Sequence, residues 1–224
     1  NMTLMCWINA EDLQSDEWNN LISQNWGEPN WLVQFYNFGN TINFNVEDIN
    51  GTNFNLDVNV NPSSLENDWH HITATYDGSS QKIYIDGVLY GSNSISGSNI
   101  AYGGNNQTIY HAIGTHSFPG NNDETFDGSI EDVSIWDISL SQQDIEQYMN
   151  CPPTGSEAGL VGYWNFEEGS GTTTLDLTSN GNNGTINGAT YDTNVPSQAC
   201  QLLNSNGCDS TAVLNLTISS PIAH

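Results

Sequence analysis

The chain has 224 residues, 36% hydrophobic and 10% aromatic, enough to bury one good core or one core with a small appendage. Its charge is one-sided: 26 Asp and Glu stand against a single Lys or Arg, Lys82, for a formal net charge of -25 and a pI near 4.1. That balance excludes nucleic acid as a partner and phosphoryl transfer as a reaction, since both place Lys and Arg clusters on phosphate, and any anionic ligand would need a divalent cation as a bridge.

Residues 3–9 (TLMCWIN), 32–38 (LVQFYNF), 41–47 (TINFNVE) and 52–60 (TNFNLDVNV) are short runs rich in aromatic and β-branched side chains. Gly-Asn and Asn-Gly pairs separate the last three, so all four read as strands. Ile42, Phe44 and Val46 alternate with polar neighbours, as do Phe54, Leu56, Val58 and Val60, which predicts one buried face per strand. Residues 11–31 (EDLQSDEWNNLISQNWGEPNW) read as a loop. Asp77-Gly78 and Asp86-Gly87 each end an apolar-alternating run and read as tight hairpin turns, with carboxylates that form turns rather than bind ligands.

One helix is predicted. Ser141 precedes QQDIEQYM (142–149), Asp144 approximates a capping box, and Pro152 and Pro153 lie just beyond the end. A single short helix among about a dozen strands predicts an all-β fold, an antiparallel two-sheet jelly-roll sandwich.

No stretch approaches 18 apolar residues, so membrane insertion is not expected, and no signal peptide opens the chain. Four cysteines, sparse charge and abundant Asn, Gly, Ser and Thr suit an oxidising exterior, so the protein is expected to be secreted or at a cell surface. Cys6, Cys151, Cys200 and Cys208 allow three pairings. Cys200 with Cys208 would staple a short turn, and Cys151 with Cys200 would tie down the long segment after the helix; the short staple is the preferred expectation.

The stretch WHHITATYDGSSQKIYIDGVLYG (69–91) resembles the central hairpin of laminin-G-like and pentraxin-like domains. AIGTH (112–116) and FDGSIEDVSIWDISLSQQDIEQYM (126–149) are similar to that family's closing strands and following helix. The resemblance implies a concanavalin A-like sandwich. Such modules normally open with a strand reading like LDFDG-x-D-D-Y, whereas this chain starts at Met2-Thr3-Leu4, so the resemblance also implies a missing first strand. Residues 159–191 are similar to a segment that opens such a module or follows its helix, and are expected to fold back and complete a domain spanning 1–196. Residues 197–219 (SQACQLLNSNGCDSTAVLNLTIS) resemble the Gly-Cys-Asp-Ser-Thr repeats of very large secreted bacterial surface proteins. They imply a separate β segment over 197–224 in a longer adhesin-like polypeptide, with an extra edge strand over 212–218 as the alternative.

Catalysis finds little support. Glycoside hydrolases on this sandwich set paired carboxylates on one strand as E-x-D-x-x-E. The nearest run begins Glu131-Asp132-Val133, and strict alternation would put Glu131 and Asp132 on opposite faces. No GxSxG elbow is present. His70 and His71, at a strand start, read as structural, while His111 lies nearer the presumed binding rim.

Binding is the better reading. Trp18, Trp26 and Trp31 stand among Asp, Asn, Gln and Glu; aromatic faces stack on sugar C–H surfaces while amides and carboxylates bond hydroxyls. Trp26 and Trp31 fit equally the core of a strand pair around a turn at 27–30. Tyr102, Asn105, Asn106 and His116 are candidates to face Trp18 and Trp26 across a rim. Residues 121–127 (NNDETFD) are dense in hard oxygen donors where pentraxin-like domains bind calcium, which makes Asp123, Glu124 and Asp127 the candidate ligands. Thr115, His116, Ser117 and Phe118 stand where pentraxins place further acidic ligands, a departure from that pattern. The expected function is a calcium-dependent glycan-binding or adhesion module whose partner is a carbohydrate or cell-surface glycan. The alternative is a structural or protein-adhesive spacer that pairs with a neighbouring module.

Overall fold

The computed structural model describes residues 1–24, 31–95, 99–100, 111–115, 124–198 and 200. Two antiparallel sheets enclose the core. The five-stranded sheet runs β5-β4-β3-β2-β9 and the six-stranded sheet β11-β10-β1-β6-β7-β8. The first comprises β2 (Trp18–Gln24), β3 (Trp31–Tyr36), β4 (Thr41–Glu47), β5 (Asn53–Asn59) and β9 (His111–Ile113). The second comprises β1 (Met2–Ala10), β6 (His70–Tyr76), β7 (Ser80–Ile85), β8 (Val88–Ser94), β10 (Gly128–Trp136) and β11 (Leu160–Trp164). A two-residue pair, β12 (Thr173–Thr174) with β13 (Gly184–Thr185), follows. This is the all-β two-sheet sandwich that the alternation predicts.

The period of two does the folding work. Met2, Leu4, Cys6 and Ile8 of β1 meet Ile42, Phe44 and Val46 of β4 and Ile72, Ala74 and Tyr76 of β6 in one buried cluster. Truncating a ring such as Phe44 to Ala would remove about 3–5 kcal/mol of stability. One polar side chain spans the sandwich: Gln81 of β7 donates from Nε2 to the carbonyls of Phe44 and Phe54, each at 3.0 Å.

Turn and cap chemistry follow the sequence. Asp86 and Gly87 take φ of 51° and 75°, the left-handed pair that a two-residue type I′ turn demands. Asp77 Oδ1 accepts from the backbone of Ser79 and Ser80. Helix α1 (Gln142–Asn150) begins with a full capping box between Ser141 and Asp144. Its Ile145 packs with Met5, Tyr84, Trp136 and Tyr163 in a second cluster, on the outer face of the six-stranded sheet.

Three expectations need correction. Residues 18–24 form a strand rather than a loop. A bulge at Leu21 hides it from the period-2 test: Asn20 pairs with Gln34 and Ile22 with Val33, so Leu21 and Ile22 both reach the core. The buried Asn19 beside them donates Nδ2 to the Leu13 carbonyl. Trp31 is core at the start of β3. The second correction concerns the disulfide, which joins Cys151 to Cys200, with Cys6 buried as a free thiol. The short staple is excluded because residues 195–198 return to the sheet near Cys151 and bring Cys200 with them; Cys208 lies outside the described residues. The third correction, at Glu131 and Asp132, belongs with the sites below.

Strand β11 pairs with β10, and its outer edge is closed by the loop that follows. The Val161 carbonyl accepts from Asn180 and Asn182, while Asp176 accepts from the backbone of Tyr163, Thr178 and Asn182. Residues 201–224, which include most of the repeat-like segment, lie outside the described residues.

Candidate functional site

The outer face of the five-stranded sheet carries an unusual set of polar side chains, buried on β2, β3 and β4 and exposed on β5. Strand register places Asn20, Gln34, Asn43 and Asp57, from β2, β3, β4 and β5, side by side in one row. A second row carries Asn45 opposite Asn55, and a third begins with Trp18 opposite Tyr36. The amides join into a ladder. Asn43 Nδ2 donates to Asp57 Oδ1 at 2.6 Å and to Asn55 Oδ1 at 3.3 Å, Asn45 Nδ2 donates to Asn55 Oδ1 at 2.8 Å, and Gln34 Nε2 reaches Asn43 Oδ1 at 3.4 Å. At one end Trp18 stacks on Tyr36, with ring centroids 5.3 Å apart and planes 17° off parallel. Burial and then the Asp57 carboxylate raise the Tyr36 hydroxyl above its ordinary pKa, so the ring stays neutral. Glu124 closes the other end by accepting Asn20 Nδ2 at 3.2 Å.

This face unites two of the predicted site residues, Trp18 and Glu124, with others that sequence reasoning missed. Asp127 stands apart: its side chain is exposed and its carbonyl accepts from the Glu11 backbone. Trp26, Tyr102, Asn105, Asn106, His116 and Asp123 lie outside the described residues. The missed signal is in TINFNVE and TNFNLDV, whose outward positions carry mostly Asn, where a merely solvated strand face would carry Lys, Glu and Thr. Among the described residues no three His, Cys, Asp or Glu gather as a metal site. Of the three carboxylates expected for calcium, Glu124 accepts from Asn20, Asp127 is exposed, and Asp123 lies outside the described residues.

His70, His71 and His111, the histidines among the described residues, each pack or bond within the fold. His71 is buried against Trp7, with ring centroids 5.1 Å apart, and burial pushes its pKa down to about 4. His70 Nδ1 sits 2.8 Å from Asp86 Oδ2, which anchors the hairpin turn. His111 Nε2 lies 3.1 Å from Gln24 Oε1, beside Trp31.

A second polar site lies on the six-stranded sheet. Asp132 adopts φ of 50° in a bulge where β10 slips against β1 between Met5 and Trp7. The slip overturns the expectation of opposite faces, because an extra residue resets the alternation. Glu131 and Asp132 therefore line one cavity of about 140 Å³ together with Tyr163, Glu167 and Gln198. Burial, then Asp132, Glu167 and Glu168, push the Glu131 pKa up to about 8. Burial also raises Asp132, against the pull of hydrogen bonds from Tyr163 and Gln198. The Asp132 charge thus contributes to holding the proton on Glu131, while the two hydrogen bonds favour ionised Asp132.

The sequence profile described as the concanavalin A-like lectin/glucanases superfamily, of laminin G type, matches residues 1–146. Sushi, von Willebrand factor type A, EGF and pentraxin domain-containing protein 1 of Rattus norvegicus is 30% identical over 112 residues, covering 48% of this chain and 3% of that protein. Its Mus musculus counterpart is 29% identical over 151 residues, covering 59% and 4%. The chain thus spans only a few hundredths of the length of these curated relatives. Among solved structures, a Bacteroides ovatus protein named for carbohydrate binding superposes with a TM-score of 0.63 at 21% identity, over 89% of this chain and 55% of that one. The heptameric SAP-like pentraxin of Limulus polyphemus superposes with a TM-score of 0.50 at 14% identity, over 83% and 82%. At these identities the likeness to solved structures is one of fold. Taken with the match over residues 1–146, it means that the chain belongs to the laminin G-type branch of the concanavalin A-like lectin/glucanase superfamily.

Proposed function

We propose that the chain is a glycan-binding module of a larger secreted or surface protein, and that it binds on the outer face of the five-stranded sheet. The observation that carries this is the Trp18–Tyr36 stack beside the Asn and Gln ladder, an apolar platform next to groups that bond hydroxyls. The disulfide between Cys151 and Cys200 supports an oxidising compartment. The reading is binding rather than hydrolysis, since the aromatic platform and the amide ladder lie on the five-stranded sheet while the Glu131–Asp132 carboxyl pair lies on the other sheet. A glycan array run with and without chelator tests it, with Trp18→Ala as the control. Binding that survives Trp18→Ala, or no binding in either condition, rejects this face.

Calcium dependence belongs to this proposal through the oxygen-rich 121–127 loop, because Glu124 ties that loop to Asn20. Calcium at about 100 times its dissociation constant would add roughly 2.7 kcal/mol. A thermal melt in calcium against ionic-strength-matched sodium and magnesium checks it, and equal melting points would remove calcium from the account.

A second reading, protein adhesion, has its own observation. Strand β8 is an edge strand, and Val88, Leu89 and Tyr90 on it are exposed. Such an edge can accept an added strand. Val88→Lys should abolish capture of a partner module and leave glycan binding intact.

A further inference from the structure

We propose that this face reads hydrogen-bond donors on an uncharged glycan and rejects acidic sugars, an inference that rests on the glycan-binding reading and gives it a ligand class. The two carboxylates at its ends set the polarity of the ladder between them. A carboxylate only accepts. Asp57 therefore turns the Asn43 amide so that Nδ2 points to it, which leaves Asn43 Oδ1 to take Gln34 Nε2. Asn55 Oδ1 takes donors from both Asn43 and Asn45. Glu124 orients Asn20 in the same sense, through the side-chain Oε2 and the backbone carbonyl.

The consequence is that the buried atoms left over on this face are oxygens. Among the described residues, Asn20 Oδ1, Gln34 Oε1 and Asn45 Oδ1 have no hydrogen-bond partner, although their residues are only 0%, 4% and 8% exposed. An unmet buried acceptor costs about 1–3 kcal/mol, so a ligand that reaches these oxygens with hydroxyl or amide N–H groups supplies what the fold leaves unmet. The side along β5 is open: Asn53, Asn55 and Asp57 are exposed, and Trp18 is half-buried.

An anionic sugar meets the opposite situation. Lys82 is the only Lys or Arg in the chain, and it sits on β7 in the other sheet. His111, near the β2 end, is held below its ordinary pKa by burial and brings no charge. A uronate or sialate would set its carboxylate against Asp57, Glu124 and unpaired oxygens, with no cation to offset the repulsion.

The test is calorimetric titration of the full chain in calcium and again in EDTA, which removes calcium as a bridge. The probes are neutral hexasaccharides of glucose, xylose, mannose and N-acetylglucosamine, and hexamers of galacturonate and guluronate. At least one neutral probe should bind, the uronates at least about tenfold more weakly, and Asn45→Leu, which keeps the shape but deletes Oδ1, should weaken the neutral probe about tenfold. Gln34→Met gives the same reading if Asn45→Leu does not fold. Uronates that bind as tightly as neutral sugars, or neutral binding unaffected by a folded variant, overturn the donor-reading inference while glycan binding stands. If no hexamer binds in either condition, both fall.

Discussion

Tyr163 donates its hydroxyl to Asp132 Oδ1 at 2.5 Å, and Gln198 donates to Oδ2 of the same carboxyl at 2.6 Å. The pair ties β11 and the post-helix segment to the bulge in β10. Both bonds favour the ionised form of a carboxyl that burial otherwise raises. Tyr163→Phe should therefore push the Asp132 pKa further up and cost about 1–3 kcal/mol of stability. Carboxyl NMR titration with urea denaturation checks both. An unmoved Asp132 pKa would mean that the bond is not formed in solution.

The Cys151–Cys200 disulfide closes a sequence separation of 49 residues and anchors residues 195–198 at the acidic cavity. Chain-entropy arguments put its contribution at about 2–4 kcal/mol. Non-reducing peptide mapping should recover this pair, and Cys151→Ser should expose the 195–198 segment to proteolysis. Cys6, whose thiol burial pushes up to about 12, should react with thiol reagents only after unfolding. Recovery of a Cys200–Cys208 peptide instead would contradict the fold of this segment.

What the sequence discloses is local. The β5 alternation, the Asp86-Gly87 turn and the Ser141–Asp144 cap each depend on residues a few positions apart, and all three stand in the structure, whereas β4, expected to bury one face, is buried on both. What it conceals depends on register. One extra residue at Leu21 disguises β2 as a loop, and one at Asp132 brings two carboxyls to a face where simple alternation separates them. Asn20, Gln34, Asn43 and Asp57 are all visible as polar residues, but only the pairing of four strands sets them in one row. The Trp-rich stretch adjoins this row because Trp18 begins the strand that supplies Asn20.

Gly128 starts β10 at φ of 145°, with the Asn9 carbonyl oxygen 2.2 Å from where a Cβ would stand. That oxygen belongs to a paired strand and cannot move aside. Gly128→Ala should cost about 2–4 kcal/mol in urea denaturation. A loss below about 0.5 kcal/mol, the range of ordinary surface changes, would show that β10 is free to shift away from β1.

Stability should depend on pH through Glu131 and His71 with opposite signs. Glu131, raised from 4.5 to about 8, holds its proton in the folded chain over a range where the unfolded chain has lost it, so stability falls as pH rises from 4.5 to 8. His71, lowered from 6.5 to about 4, is the reverse: the unfolded chain binds the extra proton, so stability rises as pH rises from 4 to 6.5. Between 4.5 and 6.5 the two slopes oppose each other, and from 6.5 to 8 Glu131 is left with a falling slope. Asp132, also raised, and His70, raised first by its hydrogen bond to Asp86, act in the same falling sense. General repulsion within a chain of net charge -25 is a weak rival in the upper window, since carboxylates of ordinary pKa have finished titrating by then. Glu131→Gln removes the charge that faces Asp132, Glu167 and Glu168, so it should flatten the fall above pH 6.5 and raise the melting temperature at pH 8 by about 2–4 °C. The rise below 6.5 should remain in the variant and disappear with His71→Gln. Melts across pH 4 to 8 on the three proteins decide it, and an identical slope above 6.5 with and without Glu131 would place the proton elsewhere.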